Sequence, residues 1–182
     1  MAQTPIVESE YLSQLTDIDA TLQGERYLGC HLVPNLTVAL SVQKITEVLT
    51  IPTAAVTPIP RMSPWVMGVY NWRGEVLWVV DLGHLLGLTP WYQQTTSASF
   101  HNMLIARTED ATSSTKMGQK MIGLAVGQVQ DIETLDPKTK QPASKSIASP
   151  ELAPFLRGYW LRESGDLLAC LDVDAVFSMI AK

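Results

Sequence analysis

One nine-residue phrase occurs twice in this chain, about half a chain apart. The first copy runs from Gly74 to Leu82 (GEVLWVVDL) and the second from Gly165 to Val173 (GDLLACLDV). In each copy, a short apolar run follows a turn residue, which is typical of a strand buried on both faces. The aspartate after the run is well placed to cap a following helical turn. The repeat predicts two similar β units, the alternative being a chance likeness between two buried strands.

The likeness extends backward from the phrase. Gly68 precedes the first copy and Gly158 precedes the second, one residue out of step. Alternating and apolar residues on either side of turn residues predict a β-hairpin near residues 67–80, with Trp72-Arg73-Gly74 at its tip. A second hairpin is predicted near residues 158–171.

The rest of the chain indicates short strands and brief helical turns. Strands are predicted at 26–32, 37–41, 47–51, 102–107, 120–130 and 132–135. Helical turns are predicted over Val42, Ile45 and Val48, at Ser63-Pro64 after a proline-rich surface passage, and in a final helix capped by Asp172 or Asp174. Short strands without long crossover helices favour antiparallel pairing and small barrels. Periodicity leaves open which half receives the first and last strands.

Length and composition narrow the class of protein. The 182 residues fit one domain or two tightly packed halves, and the net charge of −5 argues against binding to nucleic acid. No apolar run approaches the roughly 20 residues of a membrane helix. Residues 1–10 contain no basic residue and do not resemble a secretory signal. We therefore expect a cytoplasmic protein that does not insert into a membrane, with Cys30 and Cys170 as buried free thiols.

The sequence contains no recognisable reactive constellation. It has no Gly-x-Ser-x-Gly elbow, no phosphate-binding loop and no zinc-ligand spacing. We expect a binding module rather than an enzyme, without metal or cofactor. Two alternatives stay open: a β-barrel sensor that binds a small molecule against its tryptophans, and an unrecognised hydrolase that uses Asp81 or His84.

The segment from Thr57 to Leu82 carries a resemblance to a known family. It reads TPIPRMSPWVMGVYNWRGEVLWVVDL and resembles the CheW-like domains of chemotaxis coupling proteins, whose hallmark is a proline-bearing lead-in, Gly-Val-x-Asn-Leu-Arg-Gly, an apolar strand and Asp-Leu. Residues 42–48 and 155–159 are similar to two further landmarks of that family. The resemblance spans residues 26–181 and leaves residues 1–25 as an N-terminal extension.

The resemblance implies a mainly β fold of two SH3-like, five-stranded barrels on a shared core, with short helices and a C-terminal helix. It also implies a non-catalytic adaptor that joins a methyl-accepting receptor to a CheA-type histidine kinase. The protein-binding residues it suggests are Arg73, Asn71, Trp72, Gly74, Glu47 and Val42.

Trp72 replaces the usual leucine of the family, and whether it is a partner anchor or a core residue stays open. Trp72 and the surrounding tryptophans suggest a branch that steers pilus-based twitching or phototaxis. We also expect a Glu47–Arg73 ion pair, whose role is to orient Arg73 rather than to stabilise the fold.

Overall fold

A computed structural model describes residues 24–94, 99–108, 121–143 and 148–180. The described residues form ten strands and two α-helices, joined by turns and short 3-10 helices. The strands are β1 (Glu25–Leu32), β2 (Leu36–Ser41), β3 (Ile45–Pro52), β4 (Val66–Trp72), β5 (Glu75–Asp81), β6 (Phe100–Arg107), β7 (Met121–Val126), β8 (Gln128–Leu135), β9 (Leu156–Leu161) and β10 (Leu167–Leu171), and the helices are α1 (Leu82–Leu85) and α2 (Val173–Ile180). The proposed N-terminal extension, residues 1–25, lies almost wholly outside these ranges.

The strands form two five-stranded sheets with the same topology. The middle sheet has the order β3-β6-β7-β5-β4, and the terminal sheet has the order β8-β1-β2-β10-β9. Each sheet contains one parallel pair, β5 with β7 or β10 with β2, and its other pairs are antiparallel. The middle sheet uses β3 to β7 in chain order, whereas the terminal sheet uses β8, β9, β10, β1 and β2. The same β unit is therefore built twice, and the terminal sheet joins the first two strands to the last three.

Each sheet curls toward a barrel through one isolated bridge. The chain leaving β3 pairs Thr57 with Val69 of β4, and the chain leaving β8 pairs Gln141 with Tyr159 of β9. Next to these bridges lie Gly68 and Gly158, whose φ angles are +146° and +147°. A Cβ at either glycine would collide with the backbone carbonyl oxygen of Thr57 or Gln141. The paired glycines of the sequence are therefore the places where the two edges of each sheet approach most closely.

Apolar side chains fill both faces of the central strands. On β6, Met103 and Ile105 pack inside the middle sheet, whereas Leu104 and Ala106 face a larger cluster shared by both sheets. The interior of the terminal sheet has its own cluster. The shared cluster also receives α2 through Val176 and Phe177. The two barrels therefore lie on one common core, as the resemblance to CheW-like domains implied.

The aspartates of the repeated phrase cap the two helices. Asp81 accepts a hydrogen bond from the backbone N–H of His84 at 3.1 Å. Asp172 accepts hydrogen bonds from the N–H groups of Asp174 and Ala175. The predicted caps are confirmed, and Asp172 rather than Asp174 caps the final helix.

Three local predictions are wrong. Ser63-Pro64 starts only a turn, closed by a hydrogen bond from Val66 N–H to Ser63 O, because the chain enters β4 directly afterward. The helical turn predicted through Val48 ends at Lys44, because β3 begins at Ile45 and pairs with β6. The strand predicted over 120–130 is two strands in different sheets, separated by Gly127, where a Cβ would lie 2.8 Å from the His31 carbonyl oxygen.

Candidate protein-docking site

The β4–β5 hairpin turns at Arg73-Gly74, so Trp72 belongs to β4 rather than to the tip. Arg73 has φ +53° and Gly74 has φ +87°. Positive φ at both central residues is the pattern of a type I′ turn, which matches the twist of the flanking strands. The Asn71 side-chain oxygen accepts a hydrogen bond from Gly74 N–H at 2.9 Å and fixes this turn. An arginine at such a position costs about 1 kcal/mol or more of backbone strain, so local folding preference does not explain its presence.

Glu47, Trp72 and Arg73 form a contact set that we call the tip triad. One oxygen of Glu47, Oε2, accepts hydrogen bonds from Trp72 Nε1 and from Arg73 Nη2, each at 3.0 Å. The Arg73 guanidinium carbon also lies 5.1 Å from the centroid of the Trp72 ring. The Arg73 side chain is 66% exposed and that of Glu47 is 16% exposed. The expected Glu47–Arg73 ion pair is therefore present, with its acid sheltered and its cation facing solvent.

Trp72 connects this exposed tip to the interior of the middle sheet. Its half-buried ring packs against the cluster that contains Ile51 and Leu77. The sequence left open whether Trp72 is a partner anchor or a core residue. In the structure its ring packs against the core, while its indole N–H donates a hydrogen bond to Glu47.

The chemistry of the triad suits docking. The planar guanidinium of Arg73 offers donors that match carboxylate and carbonyl acceptors. An exposed ion pair adds at most about 1 kcal/mol to stability, so the contact with Glu47 acts mainly on the orientation of Arg73.

The structure separates Val42 from the other suggested residues and adds one that the sequence analysis missed. Val42 lies in the 3-10 turn Val42–Lys44 and packs against the shared core, not the core beneath the triad. Val76, within the run predicted to be buried, pairs across the hairpin with Asn71 and is 56% exposed. Exposure at the end of an apolar strand left no signal in the sequence.

The terminal sheet carries a related but not identical tip. Arg162, directly after β9, forms an ion pair with Glu133 of β8. Leu161 and Leu167 face each other across this second hairpin, and both are exposed. Sequence reasoning did not single out these residues, although the repeat pointed to the hairpin that carries them.

A cleft of about 350 Å³ lies where the chain crosses from one sheet to the other. Its walls include Trp91, Phe100, His101, Gly127 and Gln128. His101 is 6% exposed, its ring lies 5.0 Å edge-on from Trp91, and its Nε2 is covered and has no hydrogen-bond partner among the described residues. Burial lowers the pKa of His101, which the nearby carboxylate of Asp81 opposes. The cleft therefore offers a mainly neutral aromatic wall.

The described parts of the chain contain neither a metal-binding cluster nor a membrane-spanning helix. No group of three His, Cys, Asp or Glu side chains within residues 24–94, 99–108, 121–143 and 148–180 is arranged to hold a metal ion. Over the same ranges, every helix is too short or too polar to span a membrane.

The chain is similar to known proteins of one family over most of its length. The family model of the CheW-like domain matches residues 27–181. The chain is 31% identical over 121 residues to "Chemotaxis protein CheW" of Rhizobium meliloti (strain 1021), an alignment that covers 66% of this chain and 68% of that protein. It is 26% identical over 156 residues to "Probable chemotaxis protein CheW" of Rhizobium etli (strain ATCC 51251 / DSM 11541 / JCM 21823 / NBRC 15573 / CFN 42), covering 86% of this chain and 90% of that protein.

A solved structure shows the same fold. The crystal structure of scaffolding protein TtCheW from Thermoanaerobacter tengcongensis superposes with a TM-score of 0.65, covering 82% of this chain and 90% of that one, at 17% identity. The predicted fold class of two SH3-like subdomains is thereby confirmed. Because the family model spans nearly all of the described residues, the chain belongs to the CheW-like domain family.

Proposed function

We propose that this protein is a non-catalytic signalling adaptor that couples a methyl-accepting receptor to a CheA-type histidine kinase in the cytoplasm. The observation that carries the proposal is the tip triad, an exposed arginine held by an acid and a tryptophan on a CheW-like double barrel. Support also comes from relatives named as chemotaxis and scaffolding proteins. The adaptor binds its partners and transmits their conformational changes without a chemical step.

The duplicated β unit supports separate surfaces for the two partners. The hairpin of the middle sheet presents Arg73, and that of the terminal sheet presents Leu161 and Leu167 beside the Arg162–Glu133 pair. The first tip presents an arginine fork, whereas the second flanks a charged turn, residues 162–166, with two exposed leucines. Surfaces of such different chemistry suit two different partners.

The test is charge reversal at the tip, Arg73→Glu, followed by co-purification with the receptor and the kinase. A buried interface arginine of the hot-spot class contributes at least about 2 kcal/mol, so affinity for one partner should fall about 30-fold or more. Circular dichroism should not change, because Arg73 is mostly solvent-exposed in the free protein.

Arg61→Glu is the matched control for that experiment. Arg61 is an exposed arginine in the proline-rich passage, and its φ of +63° is close to that of Arg73. The two substitutions change charge equally in similar backbone. Undiminished binding of Arg73→Glu to both partners removes Arg73 from the site, and equal losses in both variants indicate a general charge effect.

We further propose that the coupled kinase steers pilus-based twitching or phototaxis. This proposal rests on Trp72, which stands where the family usually has leucine, and on the neighbouring tryptophans. Disruption of the gene should impair surface motility or movement toward light. Normal movement of both kinds with defective swimming chemotaxis assigns the protein to a flagellar system instead.

The inter-sheet cleft favours a second candidate function, a small-molecule sensor. Trp91 lines the cleft, so a bound ligand should change tryptophan fluorescence in the absence of any protein partner. Such a change, lost on Trp91→Phe but not on Trp78→Phe, supports the sensor. A library of small metabolites that leaves the fluorescence unchanged argues against it.

A further inference from the structure

We propose that Trp72 is a positioning residue that holds Arg73 in a docking-ready orientation, and that the partner presents an acidic side chain to this arginine. The inference rests on the proposed docking function of the tip. Trp72 is the residue that stands where the family usually has leucine.

Trp72 contacts both charged members of the triad at once. Its indole N–H donates to Glu47 Oε2 at 3.0 Å, and its ring face lies 5.1 Å from the Arg73 guanidinium carbon. The same Oε2 accepts from Arg73 Nη2. Trp72 therefore orders Glu47 through a hydrogen bond and Arg73 through the face of its ring, and so restricts both members of the ion pair.

A leucine at this position would provide neither contact. It would still fill space against the middle-sheet core, but it has no N–H for Glu47 and no ring for Arg73. The contact with Glu47 would then orient Arg73 without support from the ring, and an exposed pair alone restricts a long side chain less than the full triad does. Arg73 would have to lose its rotamer freedom on binding, which lowers affinity.

The geometry of the triad points to an acidic partner residue. Glu47 engages Nη2, and no other hydrogen bond to the Arg73 guanidinium is present among the described residues. The remaining donors of this planar group match the two oxygens of a carboxylate. A partner carboxylate is therefore the group that fits this tip best.

The experiment compares Trp72→Leu and Trp72→Phe with the control Trp78→Phe. Trp78 is a half-buried tryptophan on β5 of the same hairpin, and neither Glu47 nor Arg73 is among its hydrogen-bond or ring contacts. Two quantities are measured: the ¹⁵N relaxation of the Arg73 Nε–H in the free chain, and affinity for the purified kinase and receptor. Unfolding curves confirm that each variant is folded.

We expect Trp72→Leu to make Arg73 as mobile as Arg61 and to weaken the affinity of the tip's partner about three- to tenfold, the effect of losing one pre-ordered side chain. Trp72→Phe keeps a ring and should lose about two- to threefold, whereas Trp78→Phe should leave both quantities unchanged. Neutralising the partner's acid, Glu→Gln or Asp→Asn, should abolish the difference between wild type and Trp72→Leu.

Two results overturn the inference: unchanged Arg73 relaxation in Trp72→Leu, or increased Arg73 mobility with unchanged affinity for a partner that Arg73→Glu no longer binds. If neither the kinase nor the receptor binds the wild-type chain, the proposed function fails. The relaxation measurement on the free protein then still decides whether Trp72 positions Arg73.

Discussion

Replacement of Gly68 by alanine should break the bridge that joins the two edges of the middle sheet. Gly68 has φ +146°, and an alanine Cβ would collide with the Thr57 carbonyl oxygen and lie 2.9 Å from Pro58 Cα. These are backbone atoms, which cannot move aside as a flexible side chain can. The bridge they belong to consists of two hydrogen bonds, Thr57 N–H to Val69 O at 2.8 Å and Val69 N–H to Thr57 O at 2.9 Å.

The size of the effect follows from two contributions. A non-glycine residue forced into this backbone region costs about 1–3 kcal/mol. Loss of two hydrogen bonds, at a net value of about 0.5–1.5 kcal/mol each, adds about 1–3 kcal/mol. The sum, about 2–6 kcal/mol, is a large part of the 5–15 kcal/mol of free energy that typically separates folded from unfolded protein.

Gly74→Ala separates the two contributions. Gly74 also has a positive φ, +87°, but a Cβ there would have no heavy atom within 4 Å. It should therefore show strain without a collision, and Gly68→Ala should exceed it by about 1–3 kcal/mol in urea-induced unfolding. The terminal sheet provides an independent replicate, because Gly158 and Gly165 have nearly the same φ angles as Gly68 and Gly74. A Cβ at Gly158 would likewise collide with backbone, whereas one at Gly165 would meet no heavy atom within 4 Å.

Equal destabilisation by Gly68→Ala and Gly74→Ala would refute this reasoning, since the bridge would then contribute nothing to stability. A large effect at Gly68 with none at Gly158 would refute the equivalence of the two barrels, although not the closure of the middle one.

Two further predictions concern pH and the tip. Burial lowers the pKa of His101, so the unfolded chain binds a proton more readily and the free energy of unfolding should fall as pH drops through about 6.5. His101→Phe keeps a ring against Trp91 and should flatten this dependence of stability on pH. A pH profile parallel to that of the wild type would contradict the prediction. Arg73→Gly relieves the backbone strain of an arginine with positive φ but deletes an exposed ion pair. The free energy of unfolding should therefore stay within about 1 kcal/mol of wild type, while partner binding is lost. A loss of several kcal/mol would show that the triad is structural.

The sequence was informative where the determinants are local. The capping aspartates, the turn glycines and the apolar run each act on neighbours in the chain, so Asp81, Asp172 and both hairpins were predicted from short windows. The repeat extended this to Gly68 and Gly158, whose equivalence the structure explains through two bridges between sheet edges.

The features that the sequence did not predict depend on contacts between distant segments of the chain. The split at Gly127 arises because the backbone there meets the end of β1, nearly 100 residues earlier in the chain. The double role of Trp72 required Glu47, 25 residues away, to lie beside its indole N–H. Periodicity indicates which residues form strands but not which strands become neighbours, so the exchange of β1 and β2 into the terminal sheet stayed open.

That exchange joins the two barrels through one shared core. The middle sheet is continuous in the chain, yet residues of β5, β6 and β7 share a core with residues of β1, β2 and α2. Separating the barrels would expose this core, and each buried Leu, Val or Phe side chain would lose about 1.5–3 kcal/mol. Bending between the barrels would therefore be costly. In the adaptor role proposed above, this shared core would let a change of geometry at one tip reach the other, and so pass from receptor to kinase.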